Sequence, residues 1–259
     1  MTATSITPTK TIIQTTHLID EAIGLYLKKN VGLRKHLRYE SDAESKILFI
    51  QVIRHVEAIG ELARRDLATL PSALVLTRAA FETTARILWM LHPNEVFDRE
   101  ARFLAHLGGE AEYFQRFAKF LEQFGHDGES WRSSFESIRN FRMGVQNKLP
   151  ASIQRVETLP NLRDMLKDIG QEGLYATYMH LSQFSHGSPV AGGLYRRGRG
   201  LSMRLGEFIY PESWVDPLRS AWWCVAKGGQ KILERVVGDS GGFPPPDFVK
   251  RVNDALKKI

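Results

Sequence analysis

The hydrophobic positions of this chain recur mostly at intervals of three and four residues, which is the period of an amphipathic α-helix. The pattern is clearest after Ser41 and Asp42, two candidates for a helix N-cap. There, apolar residues and one histidine line a single face: Leu48, Val52, His55, Val56, Ile59 and Leu62. A weaker form of the same pattern predicts a helix over about residues 10–30. We therefore expect helices, and not a sheet, to build the core.

A third helix is predicted from Leu70 to His92, because Pro71 suits a first helical turn and Pro93 blocks easy continuation beyond His92. This segment is apolar on nearly every side, which indicates a central, buried helix. It nevertheless carries three charged residues: Arg78, Glu82 and Arg86. Arg78 and Glu82 have i, i+4 spacing. They form either a buried ion pair that fixes the helix register or the polar wall of a pocket.

Further helices are predicted over residues 94–125, 130–148, 161–170 and 214–237. The first of these contains Gly108 and Gly109, where we expect it to break. We predict an all-α, single-domain bundle of about seven to nine helices with one irregular Gly/Arg-rich loop. Its expected organisation is a flexible N-terminus (1–9), the bundle (10–238), and a Pro-containing linker with a short terminal helix (239–259).

The segment 175–189, YATYMHLSQFSHGSP, places polar side chains on one helical face. At 100° per residue, five of them share a stripe about 100° wide: Tyr175, Tyr178, Ser182, Ser185 and His186. Either this stripe is a polar seam that only packs on Arg78 and Glu82, or it is a site. In a site, His186 would act as acid or base, Ser182 as a hydrogen-bonding or nucleophilic hydroxyl, and Tyr178 as a ligand contact. The helix C-terminus near His186 should raise the pKa of its imidazole.

A Gly-rich stretch, residues 187–211, follows this helix and forms either a mobile loop or a short hairpin. It contains four cations that could clamp a phosphate or remain solvated: Arg196, Arg197, Arg199 and Arg204. With 35 basic and 29 acidic residues the chain has a formal charge of +6. That excess allows RNA or another anionic ligand as a partner and requires neither.

Other features limit the function classes. The single cysteine, Cys224, lies in an apolar run and is expected to be a buried thiol in a reducing compartment. No signal peptide or membrane span is apparent, so we expect a cytoplasmic protein without a membrane partner. The sequence leaves a homodimer open. No cofactor and no metal are expected, because the spacings of helical metal sites are absent. A site built from Glu82, His186 and His55 is the metal alternative.

Two blocks, RAAFETTARILWML and YMHLSQFSHGSP, carry a family resemblance. They resemble a bacterial helical family known only as a domain of unknown function, in which an Arg-Glu helix precedes a Ser-His helix. The resemblance covers roughly Glu44 to Val237 and implies no activity. A more distant similarity is to HEPN-type ribonucleases, whose Arg-(four to six residues)-His spacing fits Arg86 and His92. Ile87, where that motif often has a polar residue, and Pro93 depart from it.

Three function classes follow from these residues. The first is a metal-independent enzyme on a phosphate-containing substrate, such as a HEPN-like ribonuclease with Arg78, Glu82, Ser182 and His186 in its site. Arg86 and His92 are the second catalytic candidates. The second class is a non-catalytic ligand-sensing or protein-interaction bundle, and the third is a structural module. We expect an anion-handling site.

Overall fold

The computed structural model describes residues 5–31, 37–153, 158–198, 200–238 and 240–259. Its α-helices, in chain order, are α1 (Lys10–Lys29), α2 (Glu40–Arg65), α3 (Leu70–Met90), α4 (Val96–Gln123), α5 (Glu129–Gln146), α6 (Leu162–Asp168), α7 (Tyr175–Ser185), α8 (Val215–Trp223), α9 (Gly229–Ile232) and α10 (Pro246–Leu256). Two π-helical turns, Cys224–Gly228 and Leu233–Val237, join α8 and α9 into one helix over residues 215–237. With the helix 215–237 counted once, the described residues contain nine α-helices. The predicted all-α class is confirmed.

The central helix of the bundle is α3, as its nearly uniform apolar surface predicts. It packs against α2, α6 and α7, and against the helix 215–237. Phe81 on α3 is fully buried and stacks on Trp223 with ring centroids 5.0 Å apart. The predicted packing of this helix between the segment after Tyr175 and the long helix near the C-terminus is thus confirmed.

The helical hairpin α4–α5 continues through the two glycines at which a break was expected, so that expectation is wrong. The reason is tertiary packing. A Cβ added to Gly109 would lie 2.8 Å from the Cδ2 atom of Leu159, and one added to Gly108 would lie 3.1 Å from the guanidinium of Arg142. The glycines therefore allow close approach of neighbouring groups while α4 stays helical.

The start of α2 also differs from the sequence prediction. Ser41 and Asp42 are not its N-cap, because the helix begins at Glu40 and both residues lie buried in its first turn. The Ser41 backbone N–H instead donates to the carboxylate of Glu100 on α4, at 2.8 Å. A side chain from a distant helix therefore does the capping that the local sequence was expected to provide.

Both ends of the described chain contact the bundle. The Ile6 N–H donates to Asp66 at 2.8 Å, and the Leu67 N–H donates to the Ile6 carbonyl at 2.9 Å. On α10, Phe248 and Val252 are buried in the main core. In the described part of the chain, no helix is both long and apolar enough to cross a membrane.

Candidate functional site

The polar residues of α3 lie on one side of an otherwise buried helix. Arg78, Glu82 and Arg86 are four residues apart, so they follow one another along successive turns of the same face. Helix α7 packs on this side of α3. The geometry therefore sets the charged row of α3 against the hydroxyl-bearing face of α7, and the two predicted stripes do meet.

Arg78 makes the contact between the two helices. Its Nε donates to the Ser182 hydroxyl at 3.2 Å, and its Nη2 donates to the Tyr178 hydroxyl at 3.1 Å. The guanidinium carbon also lies 5.3 Å from the centroid of the Tyr178 ring, within the range of a cation–π contact. The second terminal nitrogen, Nη1, forms no hydrogen bond with the described residues, so one edge of the guanidinium fork remains available.

The hydroxyl groups of α7 have different roles in this contact. Ser182 donates its proton to the Tyr178 carbonyl at 2.8 Å while it accepts from Arg78. That geometry suits a positioning hydroxyl and not an activated nucleophile, whose proton must face a base. The Tyr178 hydroxyl accepts from Arg78, and its own proton is left to donate. A ligand at this point would meet the Tyr178 proton.

Glu82 is shared between two arginines. The expected pairing with Arg78 is loose, at 3.8 Å, whereas Arg86 donates to Glu82 at 2.9 Å. The side chains of Arg78, Glu82 and Arg86 are 24%, 27% and 31% exposed. The row is therefore partly accessible to solvent and is not the fully buried ion pair considered above. Two guanidiniums against one carboxylate leave one excess positive charge.

His186 lies outside this cluster. It is the residue directly after the end of α7, as its position before Gly187 predicts, and it is exposed. No hydrogen bond or ion pair joins His186 to any described residue. The stripe drawn on an ideal helix therefore meets Arg78 through Tyr178 and Ser182, whereas His186 lies just beyond the end of α7. An acid/base role for His186 stays a prediction.

The second pair of catalytic candidates lines two different clefts. Arg86 lines a cleft of about 580 Å³ between α2 and α4 with His106, whereas His92 lines one of about 630 Å³ with Asp168. Helix α3 carries Arg86 but ends at Met90, so His92 lies beyond the helix and points into a different cleft. Burial lowers the pKa of His92, and nearby cations, Arg102 first among them, lower it further.

The Gly/Arg-rich loop contains the hairpin considered as one of its two forms. Strands β1 (Arg196–Arg197) and β2 (Arg204–Leu205) pair antiparallel, with Arg197 opposite Arg204. The Arg197 guanidinium lies 5.1 Å from the Phe208 ring centroid and 6.0 Å from that of Tyr210. Arg196 donates to the Pro189 carbonyl at 3.5 Å. The fourth cation, Arg199, lies outside the described residues.

One cluster escaped the sequence prediction. The buried Trp89 ring donates from Nε1 to the carboxylate of Asp168 at 3.1 Å. The Arg102 guanidinium lies over the same ring, 4.9 Å from its centroid, and donates to the backbone carbonyl of Trp89 at 2.7 Å. The available signal was the tryptophan itself, whose N–H needs a partner when the ring is buried in an apolar helix. Among the described residues, no group of three His, Cys, Asp or Glu side chains is arranged to hold a metal ion.

Comparison with known proteins places the chain in a family. A model of DUF5677, a family of unknown function, matches residues 45–197, more than half of the chain, and the chain therefore belongs to this family. The match contains both helices of the cluster, so the resemblance to a helical family of unknown function is confirmed, although the match ends before Val237. No curated protein and no solved structure matches the chain. The similarity to HEPN-type ribonucleases gains no support.

Proposed function

We propose that the cluster of Arg78, Glu82, Arg86, Tyr178 and Ser182 binds a small anionic ligand, with a phosphate-containing molecule as the best fit. The observation that carries the proposal is the state of Arg78. Its guanidinium is fixed by Tyr178 and Ser182, yet Nη1 has no partner among the described residues. A held guanidinium with a free edge is well prepared for bidentate recognition of phosphate or carboxylate oxygens.

The charge of the row supports an anion over a cation. Glu82 neutralises only one of its two arginines, and the excess charge sits where the side chains are a quarter to a third exposed. Partial burial strengthens the attraction because water screens it less than at an open surface. The Tyr178 proton adds one donor beside this charge.

Binding without catalysis is the part of the proposal that the hydroxyl geometry favours. The Ser182 proton points to a backbone carbonyl, and the exposed His186 forms no hydrogen bond with Ser182. The proposal is therefore a ligand-sensing bundle, the second function class named above. A phosphate-directed hydrolase would need His186 to approach the cluster.

Titration calorimetry with inorganic phosphate tests the proposal. Tyr178→Phe removes the donated proton and the hydrogen bond from Arg78, but keeps the ring against the guanidinium. We expect about a tenfold loss of phosphate affinity, the size of one hydrogen bond to a charged group, and a thermal melt should show that the fold persists. Arg54→Gln, which removes an exposed arginine paired with Glu57 at 2.8 Å, is the matched control and should bind like the wild type.

Two results would contradict the proposal: no saturable phosphate binding by the wild type, or equal binding by Tyr178→Phe. The same protein should also be incubated with RNA oligonucleotides and phosphomonoesters. Turnover by the wild type that disappears in His186→Gln would make the cluster a catalytic site and not a sensing site.

A second candidate function, binding of single-stranded RNA, rests on the hairpin. Arg197 stacks on Phe208 near the exposed Tyr210 ring, and interleaved cations and aromatic rings suit stacked bases and phosphates. Replacing Arg196, Arg197 and Arg199 by Ala should then reduce the salt slope of RNA binding by up to about two units, near 0.7 per phosphate contact. Salt-independent binding, equal in variant and wild type, would exclude this candidate.

A further inference from the structure

A further groove, apart from the two clefts described above and from the α3–α7 cluster, is mainly apolar. It is a groove of about 480 Å³ between the helix 215–237 and the segment from Ser240 to α10. Its walls include two tryptophans and two prolines: Trp222, Trp223, Pro244 and Pro246. Such side chains give the groove stiff walls, because proline has a fixed φ and the tryptophan rings are held by packing.

The tryptophans are held by neighbours on the side away from the groove. Trp223 stacks on Phe81 of α3, and the Trp222 ring centroid lies 6.0 Å from that of Phe248 on α10. The groove is therefore a preformed feature of two packed elements, which is typical of small-molecule sites of this volume.

Its charge has one sign. The described residues that line the groove carry two cations, Arg219 and Lys227, and no carboxylate. Arg219 faces Asp216 at 3.6 Å, so its charge is partly matched. Lys227 is exposed and forms no hydrogen bond or ion pair with the described residues. An unmatched ammonium therefore stands at the edge of an apolar groove.

We propose that this groove binds a medium-chain aliphatic carboxylic acid in its free form, with the carboxylate at Lys227 and the chain over Trp223 and Ala226. The groove follows the helix from Arg219 to Lys227, eight positions that correspond to about 12 Å along the helix axis. An extended chain of about eight carbons fits that length. Burial of its methylenes supplies the affinity, because each CH₂ removed from water strengthens binding about fourfold.

Calorimetry with octanoate, supported by tryptophan fluorescence, tests the assignment. The wild type should bind octanoate saturably. Octylammonium should bind at least about tenfold more weakly, because its positive head group is repelled by the positive charge of Lys227. Lys227→Gln should weaken octanoate about tenfold and leave octylammonium unchanged or improved. Lys250→Gln, which removes another exposed lysine on α10 outside the groove, is the matched control and should match the wild type.

Two further variants separate this site from the others. Ala226→Leu fills the groove floor and should abolish octanoate binding, with a thermal melt to check that the fold persists. Arg78→Gln changes the proposed phosphate site but not the groove, so it should leave octanoate affinity unchanged. The octanoate result is therefore independent of the phosphate proposal. Equal affinity for octanoate and octylammonium, no binding at all, or equal loss in Lys227→Gln and Lys250→Gln would overturn the assignment.

Discussion

Substitution of Glu82 by glutamine separates a binding site from a packing device, because the two roles predict opposite results. The change keeps the shape of the side chain and removes one negative charge. In the wild type this carboxylate holds Arg86 at 2.9 Å and faces Arg78 at 3.8 Å. In the variant, both guanidiniums keep their charge and the row carries an excess of two positive charges.

The cost in stability should be small. Side chains that are a quarter to a third exposed are screened, and i, i+4 pairs in such places contribute about 0.3–0.5 kcal/mol each. The glutamine oxygen can still accept from Arg86. We therefore expect Glu82→Gln to lower the free energy of unfolding by no more than about 1 kcal/mol, as measured by urea denaturation.

Anion affinity should rise in the same variant. A unit charge about 6 Å from a bound anion changes the binding energy by about 0.7 kcal/mol at the permittivity of water and by about 1.4 kcal/mol at half that value. Phosphate should therefore bind about three to ten times more tightly to Glu82→Gln. Glu57→Gln, which breaks the exposed Arg54–Glu57 pair, is the matched control and should leave phosphate affinity unchanged.

The refuting result is specific. A loss of more than about 2 kcal/mol in unfolding free energy, with no gain in phosphate affinity, would show that Glu82 only compensates buried charge. Weaker phosphate binding in the variant would show that the carboxylate itself contacts the ligand.

Three other predictions follow from the geometry. Desolvation raises the pKa of Asp42 from 3.8 to about 6. The folded protein therefore binds the Asp42 proton more tightly than the unfolded chain does, and the stability that this proton contributes is lost as the pH rises from about 4 to about 6. Asp42→Asn should therefore gain stability relative to the wild type over that range, by up to about 3 kcal/mol, in denaturant melts at a series of pH values; a difference that stays constant with pH would contradict this. Gly228→Ala should lower the free energy of unfolding by about 1–3 kcal/mol, because the added Cβ would lie 2.6 Å from the Phe49 ring. Gly144→Ala, whose Cβ would have nothing within 4 Å, should be neutral or stabilising; equal melting temperatures of the two variants would refute the packing argument. Phosphate should slow amide exchange in α7, measured by mass spectrometry, because α7 forms hydrogen bonds with Arg78. Exchange in α10, which forms none with Arg78 among the described residues, should not change; equal protection of both helices would contradict the prediction.

Local signals predicted most of the helix boundaries. Pro93 ends the central helix shortly after Met90, and Gly170, with a φ of 70°, follows α6 in the left-handed region that favours glycine. These residues act through their own backbone, so the sequence contains the whole cause. The start of α2 cannot be predicted in this way, because the residue that caps it, Glu100, is 59 residues away from Ser41. No local pattern indicates such a partner.

The pairing of Glu82 could not be predicted for a related reason. Arg78 and Arg86 are both four residues from Glu82, so spacing alone makes them equivalent. The structure breaks this symmetry through α7, whose Tyr178 and Ser182 engage the Arg78 guanidinium. Glu82 then makes its shorter contact with Arg86. The sequence therefore predicted that Arg78, Glu82, Tyr178 and Ser182 come together, but it also placed His186 with them and assigned Arg86 to another pair. Tertiary contacts determined which residues pair.

The attachment of α7 to the bundle bears on whether this cluster is only scaffold. Leu181 is the one fully buried residue of α7, and its aromatic residues Tyr175, Tyr178 and Phe184 are only partly buried. A short helix with so little apolar burial gains a correspondingly small share of stability from packing. Its two hydrogen bonds with Arg78 therefore matter more to it than similar bonds would to α2 or α3. A ligand that joined Arg78 to the Tyr178 proton would strengthen the attachment of α7 to α3, which is how a binding event could alter the surface that α7 presents.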